Sequence, residues 1–363
     1  MRGRVVAFTD PGERFAIEEY DVPDPEPGAI IVRVTMAGIC GSDLHFWRGD
    51  FPNRGMAAGH EMVGRVAALG MGVTSDSLGR PLHEGDRITY PYFYPCQRCP
   101  VCLRGDLAAC PNEVARQMIG TAPYFTGAYA DYYYLRPGHH VFKVPDDLSD
   151  EMVTPVNCAL AQVIYGLERA GLRPGDSFVT QGAGGLGLNA IAVARSMGAG
   201  QVIAVDTLPG RLDLARRFGA DETVLIGDFE STEDRVAHVR SLTDGIGADV
   251  VADFVGMARV IPEGIAMTRN GGAYLEIGTI SPPDHVELHP SLLVRGNKRI
   301  VGVLHYNPWA IPAALDLLER NRHLPFDEVI SHRFPLAEID AAFEHCEWSG
   351  RDECQVVRGV LVP

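Results

Sequence analysis

Between residues 177 and 278 the sequence alternates short apolar runs with longer segments, and this alternation constrains the fold more than any other feature. The apolar runs are SFVTQGAG, QVIAVD, TVLIG, ADVVADFVG and GAYLEIG, and the segments between them are helical in pattern, such as LGLNAIAVARSMGA and RLDLARRFGA. Strands separated by helices of this length form parallel βαβ units. The sequence therefore predicts an α/β chain whose central part is a doubly wound parallel sheet.

A glycine-rich turn follows the first apolar run. Gly182, Gly184 and Gly187 form the pattern G-x-G-x-x-G, with Gly185 and Leu186 inside it. Because the pattern follows an apolar strand and opens a helix, it predicts a tight turn that lets a pyrophosphate approach the backbone and the helix N-terminus. We expect this loop to bind a dinucleotide cofactor.

The end of the next strand predicts which cofactor is bound. QVIAVD ends in Asp206, nineteen residues after Gly187. A carboxylate at this place accepts hydrogen bonds from both ribose hydroxyls and repels a 2′-phosphate, which favours NAD over NADP. Arg211, five residues later, is placed to lie near the adenine or a phosphate and weakens this preference. We expect NAD, with NADP as the alternative.

The two ends of the chain differ from its middle. The first 150 residues contain short runs rich in Val, Ile and aromatic residues, such as IIVRVTMAGIC and EMVGRVAALG, bounded by Gly, Pro and Asp. Near residue 150, SDEMVTPVNCALAQVIYGLERAGL predicts one long helix, and after about residue 300 two helical segments precede a closing strand. We predict a β-rich domain over 1–155, a dinucleotide-binding domain over 156–298, and a return to the first domain over 299–363.

Four of the eight cysteines lie in the run YPYFYPCQRCPVCLRGDLAACPN, residues 90–112. Cys96, Cys99, Cys102 and Cys110 follow the spacing C-x2-C-x2-C-x7-C. Four thiolates close a tetrahedron around zinc and leave no position for water or substrate. We therefore expect a structural zinc site. The alternative is a zinc ribbon that binds nucleic acid, but a ribbon needs two separated knuckles and basic surroundings.

Further ligand-type residues are dispersed along the chain. Cys40 lies in AGICGSDLHFW, His60 and Glu61 lie in AAGHEMVGRV, and Cys158 lies in PVNCALAQ. Each residue is ambiguous by itself, but one His and two Cys make a set of three protein ligands that leaves a fourth zinc position open. The combination predicts a second, catalytic metal site.

Taken in chain order, these motifs resemble the zinc-dependent medium-chain alcohol dehydrogenases over essentially the whole chain. The matching motifs are C-G-S-D-L-H at 40–45, G-H-E at 59–61, the four-cysteine run and the glycine loop at 182–187. The resemblance implies a GroES-like catalytic domain whose two parts enclose a Rossmann domain. It also implies reversible hydride transfer between an alcohol carbon and the nicotinamide, giving a ketone or an aldehyde, with two zinc ions per chain.

The resemblance implies that Cys40 and His60 hold the catalytic zinc and that Cys158 is the third ligand. Polyol and threonine dehydrogenase branches of the family have a Glu before a Pro in this segment, where this chain has Thr154 before Pro155. Because threonine is a poor zinc ligand at neutral pH, its presence favours Cys158.

Other residues near these ligands also match the family. Asp43 resembles the carboxylate that orients the metal-binding His60. Ser42 and His45 resemble a relay that takes the alcohol proton and passes it to solvent. Glu61 is expected to approach the metal transiently or to shape its field.

Trp47 and Phe51 are bulky residues that follow the relay, and the resemblance implies that Tyr92 and Tyr129 contribute to the substrate pocket. These four aromatic residues are the predicted walls of that pocket. Such walls favour a secondary, cyclic or otherwise apolar alcohol, although each ring has packing inside the β-rich domain as its alternative. A polyol or amino-alcohol dehydrogenase of the same fold is the alternative enzyme. The alternative of another class is a catalytically silent dinucleotide-binding protein with structural zinc only.

Charge and composition exclude several classes of function. The 363 residues include 47 acidic and 32 basic side chains, a net charge of −15, which argues against a nucleic-acid surface. No apolar run reaches the ~18 residues of a membrane span, and the N-terminus lacks the apolar core of a signal peptide. We expect a cytoplasmic protein without membrane or nucleic-acid partners, in which Cys346 and Cys354 are ordinary thiols. The family resemblance implies a homodimer or homotetramer.

Overall fold

The computed structural model describes residues 1–51, 54–114, 117–280, 285–347 and 357–363. The chain divides into two compact units. The first comprises Met1–Ala161, Asn307–Arg322 and Phe326–Pro363, and the second comprises Gln162–Tyr306 and His323–Pro325. Cys354 lies outside the described residues, whereas Cys346 is buried in the core of the first unit.

The strands, in chain order, are β1 Arg2–Ala7, β2 Ala16–Asp21, β3 Ile30–Gly38, β4 Glu61–Leu69, β5 Arg87–Thr89, β6 Tyr132–Leu135, β7 Phe142–Lys143, β8 Ser177–Gln181, β9 Gln201–Asp206, β10 Glu222–Leu225, β11 Ala248–Asp253, β12 Thr268–Glu276, β13 Arg299–Gly302, β14 His332–Pro335 and β15 Gly359–Val362. The α-helices are α1 Gly41–Arg48, α2 Pro100–Leu103, α3 Asp150–Val153, α4 Ala161–Ala170, α5 Gly185–Ser196, α6 Pro209–Arg217, α7 Thr232–Ser241, α8 Ile261–Met267, α9 Pro290–Gly296, α10 Ala310–Arg320 and α11 Ile339–Glu347. A π-helix covers Val156–Leu160, and short 3-10 helices cover Leu107–Ala109, Ile226–Asp228, Ala258–Val260, Phe326–Val329 and Leu336–Glu338.

The first unit is built on a sheet with the strand order β14-β15-β3-β4-β5-β7, and β6 pairs with the outer part of β3. β3 is the centre of this sheet because it pairs antiparallel with β4, β6 and β15. β15 comes from the C-terminal end of the chain, so this segment lies in the same sheet as β3. The core beneath combines residues of β3 and β4 with Phe343 and Ile339 of α11.

The second unit contains a parallel sheet with the strand order β10-β9-β8-β11-β12-β13. The first strand of the unit, β8, lies in the middle, and the chain runs outward on both sides of it. This is the doubly wound Rossmann order, in which ligands bind beyond the carboxyl ends of the central strands. The prediction of an α/β fold with a doubly wound parallel sheet is confirmed.

The segment from 150 to 170 differs from the single helix that the sequence predicts. α3 ends at Val153, the π-helix follows Pro155, and α4 then begins at Ala161. Proline offers no N–H to the preceding turn, and the amide of Leu160 reaches back five residues to the carbonyl of Pro155 at 3.0 Å. This wider turn carries Cys158 and belongs to the first unit, although the predicted domain boundary placed Cys158 in the second. No helix in the described part of the chain has both the length and the apolar composition of a membrane span.

Candidate active site and metal centres

Four ligand-type side chains from separate segments converge in the first unit. One ligand atom from each of Cys40, His60, Glu61 and Cys158 lies within 4.8 Å of all the others, and all four residues are buried. Cys158 Sγ lies 3.4 Å from His60 Nε2. Two sulfurs, one imidazole nitrogen and a carboxylate oxygen form a donor set that suits zinc. These residues therefore fit the predicted catalytic metal.

The pairing of β3 with β4 brings the first two predicted ligands together. Gly38, the last residue of β3, lies opposite Glu61, the first residue of β4. Cys40 follows β3 by two residues, and His60 directly precedes β4. The antiparallel register thus fixes a cysteine and a histidine, twenty residues apart in sequence, at one end of the sheet.

Asn157 attaches the π-helix to this pair of strands, and sequence reasoning missed it. Its Nδ2 donates to the carbonyl oxygens of His60 at 3.2 Å and Tyr90 at 3.0 Å. Its Oδ1 accepts from the amide of Met62 at 3.2 Å. Because Asn157 is fully buried and precedes Cys158, these bonds fix the position of the third predicted ligand.

Asp43 holds two of the ligand residues at once. Its Oδ1 lies 3.1 Å from His60 Nδ1, and its Oδ2 accepts from the Cys40 amide at 3.0 Å and from the Tyr129 hydroxyl at 2.8 Å. Asp43 is completely buried at the first turn of α1. Its contact with Nδ1 leaves Nε2 of His60 for a metal, as expected for a carboxylate that orients a ligand histidine.

Tyr129 lies behind the ligand cluster and not on an open pocket wall, in contrast to the sequence-based prediction. It is completely buried, and its hydroxyl also lies 3.2 Å from the carbonyl oxygen of Gly38. Its ring lies beneath Gly59, which has φ +81° and where a Cβ would be 2.5 Å from the ring. The sequence could not distinguish the two roles, because a buried aromatic residue next to a strand can serve either one.

The two predicted relay residues lie on α1, but in different surroundings. Ser42 Oγ is 3.5 Å from His60 Nε2, next to the ligand cluster. His45 Nδ1 is 2.7 Å from Asp50 Oδ2, so one ring nitrogen is already engaged by a carboxylate just beyond the helix. Asp50 was missed by sequence reasoning, although its position five residues after His45 is a usable signal.

The four cysteines of the 90–112 run also converge. The Sγ atoms of Cys96, Cys99, Cys102 and Cys110 lie within 4.8 Å of one another. The amide of Cys96 donates to Cys110 Sγ at 3.3 Å and the amide of Cys102 to Cys99 Sγ at 3.5 Å, as expected around metal-binding sulfurs. The set contains sulfur donors alone, which fits a closed structural zinc site.

The Asn307 side chain attaches the four-cysteine run to another segment of the first unit. Asn307 Oδ1 accepts from the amide of Ala108 at 3.1 Å, and its Nδ2 donates to the carbonyl of Gly105 at 2.9 Å. Asn307 lies shortly before α10, so the run that contains the four cysteines is attached to a segment about 200 residues later in the chain.

The glycine loop of the second unit has the geometry that the motif predicts. Gly182 has φ +93°, and a Cβ on Gly187 would lie 1.9 Å from the carbonyl oxygen of Gly182. α5 begins at Gly185, and the turn residues Gly184 and Leu186 are partly exposed. The loop therefore needs glycine at both positions and leaves free amides at the helix N-terminus for an anion.

Asp206 joins the end of β9 to this loop. Its Oδ2 accepts from the amide of Ala183 at 2.7 Å, and its Oδ1 accepts from the amide of Leu208 at 2.9 Å. Arg211 Nη1 lies 3.9 Å from Asp206 Oδ2 and close to Gly184. The structure thus places the predicted acidic residue and the nearby arginine beside the predicted pyrophosphate loop.

The sequence matches two family profiles, the alcohol dehydrogenase GroES-like domain over residues 26–146 and the zinc-binding dehydrogenase domain over 185–320. It is 34% identical over 341 residues to 5-exo-hydroxycamphor dehydrogenase of Pseudomonas putida, covering 92% of this chain and 93% of that protein. The chain belongs to the zinc-dependent alcohol dehydrogenase family. The resemblance stated from the motifs is confirmed.

Two further comparisons agree with this assignment. The dehydrogenase is 31% identical to the erythritol/L-threitol dehydrogenase of Mycolicibacterium smegmatis, over 94% of this chain and 93% of that protein. A crystal structure of an alcohol dehydrogenase from Thermotoga maritima superposes with a TM-score of 0.92 at 28% identity, covering 100% of both chains. The chain is therefore a zinc-dependent, NAD(P)-linked alcohol dehydrogenase that acts on a small-molecule alcohol.

A buried ion pair joins Glu61, one of the four cluster residues, to Arg358. Glu61 Oε1 accepts from Arg358 Nη2 at 2.7 Å, and both side chains are almost completely buried. Arg358 directly precedes β15, which docks on the chain near Cys40 because the Ile39 amide donates to the Gly359 carbonyl at 3.0 Å. Sequence reasoning missed Arg358, since 297 residues separate it from Glu61 and only the return of the C-terminal strand joins them.

Burial and close contact among the four cluster residues shift their pKa values. Hydrogen bonding with Cys158 holds the pKa of Cys40 well below its usual value, and the same contact raises the pKa of Cys158, so the two sulfurs share a proton. Burial opposes charging of His60, but Asp43 outweighs it and raises the pKa of His60 to about 10. Burial raises the pKa of Glu61 to about 7 against the attraction of Arg358. A bound cation would take the place of these protons.

The predicted aromatic walls differ in their relation to the cluster. The Tyr92 ring meets the His60 ring edge-on, with centroids 4.9 Å apart. Phe51 packs on Phe46 at 4.8 Å, and Trp47 lies edge-on to the core residue Phe343 at 5.9 Å. Tyr92 is therefore the predicted wall residue in ring contact with a ligand.

Proposed function

We propose that this dehydrogenase oxidises a secondary, cyclic or otherwise apolar alcohol with NAD⁺ and catalyses the reverse reduction. The observation that supports its active site is the convergence of Cys40, His60 and Cys158, with Ser42 Oγ 3.5 Å from His60 Nε2. The similarity to a hydroxycamphor dehydrogenase and the aromatic side chains near the cluster support the apolar substrate.

The catalytic zinc is held by Cys40, His60 and Cys158 in this proposal. When bound, zinc supplies Lewis-acid chemistry that lowers the pKa of an alcohol hydroxyl and polarises a carbonyl. Asp43 keeps His60 Nδ1 engaged, so that Nε2 faces the metal position. Glu61 Oε1 is paired with Arg358, whereas its buried Oε2 has no hydrogen-bond partner among the described residues, so Glu61 would shape the field at the metal while the other three residues hold it.

The alcohol proton leaves through Ser42 and His45. Ser42 Oγ would accept the proton of the alcohol hydroxyl as hydride passes from the alcohol carbon to the nicotinamide of NAD⁺, and the serine's own proton would pass to His45 and then to solvent. Asp50 Oδ2, 2.7 Å from His45 Nδ1, engages that nitrogen and leaves Nε2 of His45 for the transfer.

The second unit binds NAD. The amides at the start of α5, behind Gly182, Gly184 and Gly187, hold the pyrophosphate. Asp206 accepts the ribose hydroxyls, which disfavours a 2′-phosphate, and Arg211 lies beside the adenine end. The first unit is the GroES-like catalytic domain, and the four-cysteine site holds a second, structural zinc.

A substrate panel tests the reaction. Cyclohexanol, bicyclic terpene alcohols, erythritol and L-threitol are compared by absorbance of the reduced cofactor, with NAD⁺ and NADP⁺ in parallel. We expect the highest kcat/KM with cyclic secondary alcohols and NAD⁺. Faster oxidation of tetritols would replace the apolar alcohol with a polyol, and a preference for NADP⁺ would refute the role of Asp206.

The polyol reading is the second candidate, because the erythritol/L-threitol dehydrogenase matches over almost the whole chain. Against it, Thr154 stands where the resemblance places a ligand glutamate in polyol enzymes. The Thr154 hydroxyl donates to the Asp150 carbonyl at 2.7 Å, which occupies it away from the cluster.

The relay is tested with Ser42→Ala. This variant should keep two zinc ions per chain and normal cofactor binding while kcat falls about 100-fold or more, the range for removal of a proton-transfer group. Normal turnover would refute the relay, whereas loss of zinc would mean that Ser42 supports the metal site itself.

The dehydrogenase is further proposed to be a homo-oligomer. β13 ends the described parallel sheet, and apolar side chains on or near it are strongly exposed: Ile300, Leu292, Val294 and Leu304. Light scattering should give a dimer or tetramer, and Leu292→Glu with Val294→Glu should weaken it. A monomeric parent chain would refute this.

A further inference from the structure

A cleft on the first unit has a local charge opposite to that of the chain. Its volume is about 390 Å³, and three arginines line it together with Thr35, Asp131 and Tyr132. The arginines are Arg2, Arg33 and Arg65. In a chain of net charge −15, three guanidinium groups around one cleft form a distinct electrostatic feature.

Strand register explains how the arginines come together. Arg33 on β3 lies opposite Arg65 on β4 and, on its other side, opposite Tyr132 on β6. Directly opposite residues of antiparallel strands share a face, with Cβ atoms about 4.5–5.5 Å apart, and like charges in such a pair destabilise the sheet. Arg33 and Arg65 are thus a like-charge pair within the central sheet.

The Asp131 carboxylate in the cleft does not neutralise the charges of Arg33 and Arg65. Asp131 Oδ1 accepts from Arg4 Nη2 at 2.8 Å, and its Oδ2 accepts from Arg4 Nε at 3.1 Å and from the Arg4 amide. Arg4 therefore matches the charge of Asp131 through a forked contact. Arg33 adds only a weaker through-space attraction to the same carboxylate.

The other arginines also keep most of their charge available. Arg65 Nη1 donates to the Gly85 carbonyl at 2.9 Å, a neutral partner. Arg2 lies 3.5 Å from the Glu19 carboxylate, but both side chains are more than half exposed, and solvent screens such a pair.

We propose that this cleft binds a small oxyanion of the phosphate class, as free phosphate or as the phosphate group of an ester. Guanidinium groups present planar pairs of N–H donors that match phosphate oxygens, and an anion between Arg33 and Arg65 relieves their repulsion. The same strands lead to Cys40 and follow His60, so the bound anion stabilises the sheet that carries these residues. This site is separate from the proposed active site and does not depend on the proposed substrate.

Titration calorimetry with inorganic phosphate tests the proposal. The zinc-loaded protein is first saturated with the dinucleotide that supports activity, because the glycine loop would otherwise bind phosphate. Ionic strength is kept constant with chloride, and glycerol 3-phosphate is titrated separately to distinguish an ester from free phosphate. We expect one saturable site per chain and a higher Tm in phosphate.

Variants locate the site. Arg33→Ala with Arg65→Ala should weaken phosphate binding at least tenfold, whereas Arg320→Ala, which removes an exposed arginine paired with Asp316 on α10, should not. Because the double variant removes a like-charge pair, its Tm without phosphate should equal or exceed that of the parent. If the Tm of the double variant is lower than that of the parent, the single variant Arg33→Lys is compared with the parent instead. Weaker phosphate binding by Arg33→Lys at an unchanged Tm then supports the site.

Several results would overturn the proposal. They are the absence of saturable binding in the parent chain, equal affinity in the parent and the double variant, and full affinity in Arg33→Lys. Binding that arises only after deletion of Pro363, which borders the cleft, would show that the chain's own end occupies it.

Discussion

Replacement of Tyr129 by Phe tests how the buried polar groups support the proposed catalytic zinc. The change removes one hydroxyl and keeps the ring that packs under Gly59. It deletes the 2.8 Å bond to Asp43 Oδ2, while the Cys40 amide still donates to the same oxygen at 3.0 Å. Asp43 therefore loses one of its donors and gains freedom to turn away from His60.

The size of the effect follows from that contact. A hydrogen bond to a charged group contributes about 1.5–3 kcal/mol, and a contact one step removed from the metal changes metal affinity about 10–100-fold. These two ranges agree, since each factor of ten is about 1.4 kcal/mol. We expect Tyr129→Phe to weaken zinc binding about 10–100-fold at the proposed catalytic site and to lower kcat/KM in the same range.

Zinc release to chelators of graded affinity, followed by metal analysis, measures this. The four-cysteine site is an internal control, because its zinc should be retained in the variant. Tyr134→Phe is the matched control: its hydroxyl lies 3.2 Å from Glu26 Oε1 in the same unit, and its ring packs in a different hydrophobic core cluster from that of Tyr129. Unchanged zinc retention in Tyr129→Phe, or equal zinc loss in Tyr134→Phe, would refute the reasoning.

Three further predictions concern the remaining sites. Cys102→Ser should lower the zinc content from two ions per chain to one and lower Tm by roughly 5–10 °C, because a closed structural site is lost. Asp206→Ala should raise the KM for NAD⁺ about 10–100-fold and reduce the preference for NAD⁺ over NADP⁺, because a charged hydrogen-bond acceptor is removed. Steady-state kinetics with both cofactors measures this. Glu276 lies opposite Asp253 on adjacent strands, and burial together with this carboxylate raises the pKa of Glu276 to about 8. Since the folded pKa exceeds the unfolded one, its stabilising contribution is complete below about pH 4.5 and is lost as the pH rises through about 8. The fall in Tm between pH 6 and pH 9 should therefore be smaller in Glu276→Gln than in the parent.

Two of these predictions have a control variant. Cys346→Ser alters a buried cysteine outside both metal clusters and should keep both zinc ions. Glu230→Gln removes an exposed carboxylate of the second unit and should follow the parent's pH profile. Retention of two zinc ions in Cys102→Ser, an unchanged cofactor preference in Asp206→Ala, or parallel pH profiles in Glu276→Gln and the parent would contradict the respective argument.

The four-cysteine site and the glycine loop could be predicted from the sequence because each depends on residues that are close together in the chain. The spacing of Cys96, Cys99, Cys102 and Cys110 already places four sulfurs within reach of one ion, and the glycine loop needs only a strand before it and a helix after it. The alternation of apolar runs likewise requires a parallel sheet, because strand–helix–strand units have few other ways to bury their apolar faces. The family followed from these motifs in order.

Tertiary structure alone decided which groups support the cluster. The Tyr129 hydroxyl donates to Asp43, and its ring lies against Gly59 instead of forming the predicted pocket wall. Pro155 converted a predicted helix into the wider turn that carries Cys158. A sequence pattern of period 2 or 3.6 indicates which face is buried, but not which buried atom a side chain will meet.

Long-range pairing decided the rest. Arg358 meets Glu61 only because β15 returns to the centre of the first sheet. Arg33 and Arg65 meet only because β3 and β4 pair in one register, since a slip of one residue would turn the two side chains to opposite faces. The sequence thus determined the fold and the types of chemistry, whereas the register of distant strands determined which charges face one another.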